Sequence, residues 1–63
     1  MKITLTAEEK QKLKTDHKTE HDRRVADRIK AVVLNAQGWT QTRIAQALLI
    51  SPETVHDHLQ DYM

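Results

Sequence analysis

The strongest periodic segment of the chain runs from about Thr19 to Gln37. There Val25, Ile29, Val32, Val33 and Ala36 fall within roughly a 100° arc at helical spacing. Leu34 lies on the opposite side, so this helix is expected to be packed on two sides and to form the central element. Gly38 follows it where a helix is best ended by a residue tolerant of positive φ. Upstream, Thr6 and Glu9 have the spacing of a capping box, in which each side chain satisfies the other's free backbone N–H. The residues from Ala7 to about His17 are good helix formers. Their apolar face holds only Leu13 and Ala7, with Leu5 adding a contact before the cap, so this first helix is expected to dock weakly. Downstream, Thr40 suits an N-cap, and Gln41, Ile44, Ala45 and Leu48 share one face of a short third helix. Leu49-Ile50-Ser51 reads as a tight turn. Ser51 caps a fourth helix with Pro52 in its first position, where a missing N–H costs nothing. Val55, Leu59 and Tyr62 are its expected inner stripe.

Composition narrows the class. The chain has 63 residues, 38% of them hydrophobic, with no Phe, one Trp and one Tyr. Any core is therefore small and largely aliphatic. The absence of Cys excludes disulfides, Cys-ligated zinc and thiol nucleophiles. One Gly and one Pro leave little room for the turns of an all-β fold. No apolar run approaches the ~18 residues of a membrane span, and the opening residues lack the apolar stretch of a signal peptide. The expectation is a soluble, cytoplasmic, all-α domain of about four helices that occupies residues 1–63 as one unit.

The last two helices carry the motif. Two short helices joined by a three-residue turn, with an apolar residue in the turn, describe a helix-turn-helix of the homeodomain-like or winged-helix-like kind. Ala45 is small where two helices would cross closely, and Ile50 plugs the gap between them. Ser51-Pro52-Glu53-Thr54-Val55 resembles the S-x-x-T-V start of many recognition helices.

With these elements in order, the chain resembles the N-terminal DNA-binding domain of bacterial insertion-sequence transposases of the mariner-related group. Leu5-Thr6-Ala7-Glu8-Glu9 is similar to that family's opening L-T-x-E-E. Arg23-Arg24-Val25-Ala26-Asp27-Arg28-Ile29 through Leu34-Asn35-Ala36-Gln37-Gly38 is similar to its long basic-apolar helix ending in Gly. Ile44-Ala45 to Val55 is similar to its helix-turn-helix. The resemblance implies binding to the terminal inverted repeats of a mobile element. It also implies a downstream catalytic domain with acidic metal ligands that these residues do not include, so the chain is expected not to be an enzyme by itself. Met63 falls within the last turn of the fourth helix, which reads as the boundary of a piece of a longer protein. Two positions depart from the family pattern. Leu49 stands where the turn usually opens with Gly, and a left-handed Leu costs on the order of 1–2 kcal/mol, so the turn either bears that strain or adopts another geometry. The recognition helix is also acidic where family members are basic.

Charge sharpens that second point. All 10 Lys and Arg precede residue 44, beside six acids, whereas residues 44–63 hold three acids and no Lys or Arg. The outward face of the fourth helix carries Glu53, His56, Asp57 and Gln60. Carboxylates oppose phosphate binding, which supplies most non-specific affinity. Base edges, however, accept other chemistry: Glu or Asp can take a hydrogen bond from cytosine N4, and Gln can pair with adenine. Phosphate contacts are expected from Arg43 with Thr40, Thr42 and the amides that open the third helix, with Ser51 as cap and phosphate donor and Thr54 beside it. Arg23, Arg24, Arg28 and Lys30 are second choices. Binding by these residues alone is expected to be weak, so that a homodimer or further domains of the same protein complete it.

Other clusters read blandly. Lys10, Lys14 and Lys18 form a solvated stripe, balanced in part by Glu8, Glu9 and Asp22. His17 and His21 lack a third ligand, and His56 and His58 differ by about 200° around a helix. No metal, cofactor, small-molecule ligand or membrane partner is expected, and no catalytic triad or phosphate loop is present. His58 is expected at the edge of the core, and Trp39 is expected to pack at the helix junction rather than on a base. Two other functions compete with the transposase reading. One is a small helix-turn-helix transcription regulator or antitoxin. The other is a protein-interaction or oligomerisation module without DNA binding, which the acidic fourth helix favours.

Overall fold

A computed structural model describes residues 3–62 as four helices: α1 (Ala7–Thr19), α2 (Arg23–Ala36), α3 (Gln41–Leu48) and α4 (Pro52–Tyr62). The fold is all-α. Helix α2 is the hub: it packs against each of the other three, while α3 and α4 pack on one another and α1 rests on α2 alone.

Local chemistry sets the boundaries. Thr6 Oγ1 accepts from the Glu9 amide and Glu9 Oε1 accepts from the Thr6 amide, both at 3.1 Å, so the capping box opens α1 as expected. Helix α1 then continues to Thr19, whose hydroxyl donates back to the carbonyls of Thr15 and Asp16. Thr19 therefore closes α1 rather than opening α2. Asp22 takes that second role: its Oδ1 accepts from the amides of Arg24 at 2.8 Å and Val25 at 3.4 Å. A carboxylate there also complements the positive end of the helix dipole. At the other end Gly38 adopts φ 97°, and the Trp39 amide returns 3.1 Å to the Leu34 carbonyl. This is the glycine-dependent stop expected for a helix that must turn sharply.

The core comprises Ile3, Ala31, Val32, Ile44, Ala45, Leu48, Val55 and Leu59. The apolar arc of α2 is rotated from its expected centre. Ala31, Val32 and Asn35 are buried, whereas Val25, Ile29, Val33 and Ala36 are half-buried. Ile3 is buried, and its amide donates to Asn35 Oδ1 at 2.6 Å across 32 residues of sequence. A buried amide needs such a partner, which gives the polar Asn35 a place on the inner face of α2. Leu5, Leu13, Leu34, Trp39 and Ile50 pack around this centre half-buried. Helix α1 buries no residue completely, in line with its thin apolar face, and Ala7 proves exposed in its first turn.

Tyr62 departs from the expected inner stripe of α4: it is 38% exposed while Val55 and Leu59 are fully buried. The α2 residues beside the C-terminal half of α4 are Arg23, Arg24 and Asp27, which line a cleft of about 470 Å³ with Asp57, His58 and Asp61. His58, one turn before Tyr62, is buried.

The turn between α3 and α4 keeps the backbone that glycine would favour. Leu49 sits at φ 59°, ψ 41°, and its amide donates to the Ala45 carbonyl, as does that of Ile50 at 3.0 Å. Its side chain is 86% exposed and so gains almost nothing from burial. Leu49→Gly is expected to stabilise the fold by about 1 kcal/mol, since it relieves a left-handed strain of about 1–2 kcal/mol and returns part of it as chain entropy. Thermal unfolding of the two proteins measures this, and a lower melting temperature for the glycine variant contradicts it. No helix among the described residues is long and apolar enough to cross a membrane.

Candidate nucleic-acid interface

The α3–turn–α4 unit is rigid at its crossing. Ile44, Val55 and Leu59 are fully buried between the helices, and Ala45 allows close approach. Ile50 fills the gap from the turn, half-buried against the same core. Both N-termini are tied down. Thr40 Oγ1 accepts from the Arg43 amide at 3.2 Å, and Ser51 Oγ accepts from the Thr54 amide at 3.2 Å. The Ser51 and Thr54 hydroxyls also bond each other at 2.8 Å. Ser51 is therefore a cap, with much of its hydrogen-bonding capacity already engaged.

The surface made by these two N-termini is a shallow hollow of about 390 Å³ lined by Gln41, Pro52, Glu53, His56 and Asp57. Three of the expected recognition residues, Glu53, His56 and Asp57, thus come together. Thr40, Thr42 and Arg43 follow on from Gln41's end of α3, all exposed. Thr54 is turned aside: it lines the cleft toward α2 instead. Gln60 is exposed but lines neither hollow. The carboxylates of Asp57 and Asp61 line the α2 cleft with Arg23, Arg24 and Asp27, and among the described residues no ion pair joins α4 to α2. The ion pair found among the described residues, Arg23 to Asp27 at 3.9 Å, is a loose i,i+4 contact of little energetic weight.

Two site features were not visible in the sequence pattern. Gln41, read as part of the inner face of α3, reaches across to α4, where its Nε2 lies 3.5 Å from His56 Nδ1. Trp39 packs half-buried at the α2–α3 junction, as expected, but the Arg43 guanidinium lies over its ring, 4.8 Å from the centroid. This cation–π contact occupies one face of the indole and holds Arg43 at the mouth of α3. The signal was present as an i,i+4 spacing across the helix start, obscured because Trp39 precedes the helix.

Among the described residues no group of three or more His, Cys, Asp or Glu is placed to hold a metal ion. His17 lies on α1 while His21 follows it in the linker to α2. Lys14 and Lys18 are exposed and Lys10 is half-buried, and none is ion-paired among the described residues.

A tri-helical core whose last two helices cross through a three-residue turn, with polar side chains gathered at their N-termini, defines a helix-turn-helix domain of the DNA-binding class. The sequence model of the homeodomain-like domain matches residues 22–63, and the chain belongs to that family. The match begins at the Asp22 cap and covers α2, α3 and α4, leaving α1 and the Ile3 segment outside it. Comparisons with curated proteins and with solved structures gave no match.

Proposed function

We propose that this domain binds duplex DNA sequence-specifically and serves as the end-recognition module of a transposase, with the terminal inverted repeats of a mobile element as its target. The observation that carries the DNA reading is the gathering of Glu53, His56 and Asp57 beside the start of α3, on a helix pair held rigid by its buried side. The order of the L-T-A-E-E opening, the basic-apolar α2 and the helix-turn-helix supports the transposase reading. In this view α4 enters the major groove. Glu53 and Asp57 accept from exocyclic amino groups of cytosine or adenine, and Gln60 reaches a flanking base. Thr40, Thr42 and Arg43 hold phosphates. The strand-transfer chemistry belongs to another part of the protein, and a second copy or a further domain completes the affinity.

Three phosphate contacts correspond to a salt slope of only about −2.7 in log–log terms. Arg43→Ala is expected to weaken binding to all duplexes alike and to reduce that slope by about 0.9. Anisotropy titrations of labelled duplex at several salt concentrations measure both. A slope unaffected by the substitution contradicts the placing of Arg43 on a phosphate, and a flat response of the wild type to salt contradicts phosphate binding altogether. The exposed carboxylates of α4 favour one other reading, a protein-interaction module. Its mark would be a concentration-dependent dimer indifferent to duplex DNA in the same samples.

A further inference from the structure

We propose that Gln41 is a specificity-determining residue of this interface. It sets His56 as the tautomer with its proton on Nε2, so that His56 donates to a hydrogen-bond acceptor on a major-groove base edge. The inference rests on the DNA reading above and adds to it the chemical class of base that His56 takes. Gln41 Nε2 lies 3.5 Å from His56 Nδ1 in a half-buried contact between α3 and α4. An amide nitrogen has only hydrogens to offer, so Nδ1 is the acceptor, and a neutral imidazole that accepts at Nδ1 carries its proton on Nε2. The same contact fixes the ring edge. A ring flip would place carbon atoms where the two nitrogens now stand and would lose the bond to Gln41. Gln41 is itself well placed for this role, as the first residue of α3 beside the Thr40 cap, half-buried where His56 is also half-buried.

The neighbours of His56 give the donor its meaning. Glu53 and Asp57 line the same hollow, and ionised carboxylates only accept. The face thus sets one donor, His56, between acceptors on either side along α4. On the major-groove edge guanine offers N7 and O6, adenine offers N7 and thymine offers O4, whereas cytosine presents an amino donor. A His56 N–H therefore donates to guanine, adenine or thymine, with guanine offering two acceptors, and finds only a donor on cytosine on the strand it faces. The opposite tautomer would present a lone pair outward and reverse that choice. Gln41 touches no base in this scheme. It acts through His56.

Two measurements test this. In the free protein at mildly alkaline pH, long-range proton–nitrogen correlation spectra read the His56 tautomer directly. The wild type is expected to show protonated Nε2 and bare Nδ1, and Gln41→Leu to lose the hydrogen-bond displacement of the Nδ1 resonance. Protonated Nδ1 in the wild type overturns the proposal. The second measurement selects a duplex library with a randomised central segment on the wild type, then varies each selected position in turn. Gln41→Leu is expected to relax discrimination against cytosine at one position by about tenfold, His56→Ala to flatten the same position, and the double variant to add nothing further. Gln41→Ala stands in if the leucine variant melts early. Intact discrimination in both Gln41 variants overturns the role of Gln41 alone. Failure of the wild type to enrich any duplex overturns the DNA reading beneath it, whatever tautomer the spectra show.

Discussion

Leu59→Ala is expected to cost about 2–5 kcal/mol of stability, enough to leave the domain largely unfolded at 37 °C. Leu59 is fully buried among the core residues that α2, α3 and α4 contribute. Its truncation removes three carbons and leaves a cavity among the crossed helices. A chain this short buries only about 60% of its unfolded surface, and a single core in so small a domain rarely supplies more than about 3–5 kcal/mol. Urea or thermal unfolding followed by helical circular dichroism reads the result. A shift in melting temperature of a few degrees or less would mean that Leu59 is not the common side chain of the three-helix core.

The second large effect is expected at a polar residue. Asn35→Ala removes the acceptor that Ile3's buried amide meets at 2.6 Å. An amide left buried without a partner costs about 1–3 kcal/mol, and the N-terminal segment has an alternative the core of α2–α4 lacks, which is to leave. The expected result is a lower unfolding midpoint together with fast hydrogen exchange at the Ile3 amide, while the amides of α3 and α4 remain protected. Asn35→Asp retains an acceptor and is expected to keep more of the segment in place. Uniform loss of protection through all four helices would contradict this picture of a separable N-terminal clasp.

The two residues differ in how far they could be read from the chain. Leu59 follows Val55 at helical spacing, and the caps Thr6, Thr40 and Ser51, the Gly38 stop and the left-handed Leu49 all obey rules that act within four or five residues. For that reason the four elements and the helix-turn-helix core were legible. Asn35 was not, because its partner lies 32 residues away and periodicity sees only one helix at a time. The start of α2 was misplaced for a related reason. Periodicity places it at about Thr19, but Asp22 satisfies two amides and Thr19 ends α1. Tyr62 matches the inner stripe of α4 by spacing alone. At the interface, Glu53, His56 and Asp57 could be grouped from helical geometry, whereas the Gln41–His56 contact required the crossing of α3 and α4, and the Trp39–Arg43 stack the conformation of the residue before α3.

The central claim is that the face formed by the N-termini of α3 and α4 meets a duplex groove. Chemical-shift mapping of the labelled domain with a duplex selected from the randomised library tests it most directly. The account predicts perturbations concentrated at Thr42, Arg43, Glu53, His56 and Asp57, with α1 unmoved. Perturbations confined to α1 or to the α2 cleft, or none at saturating duplex, would contradict it.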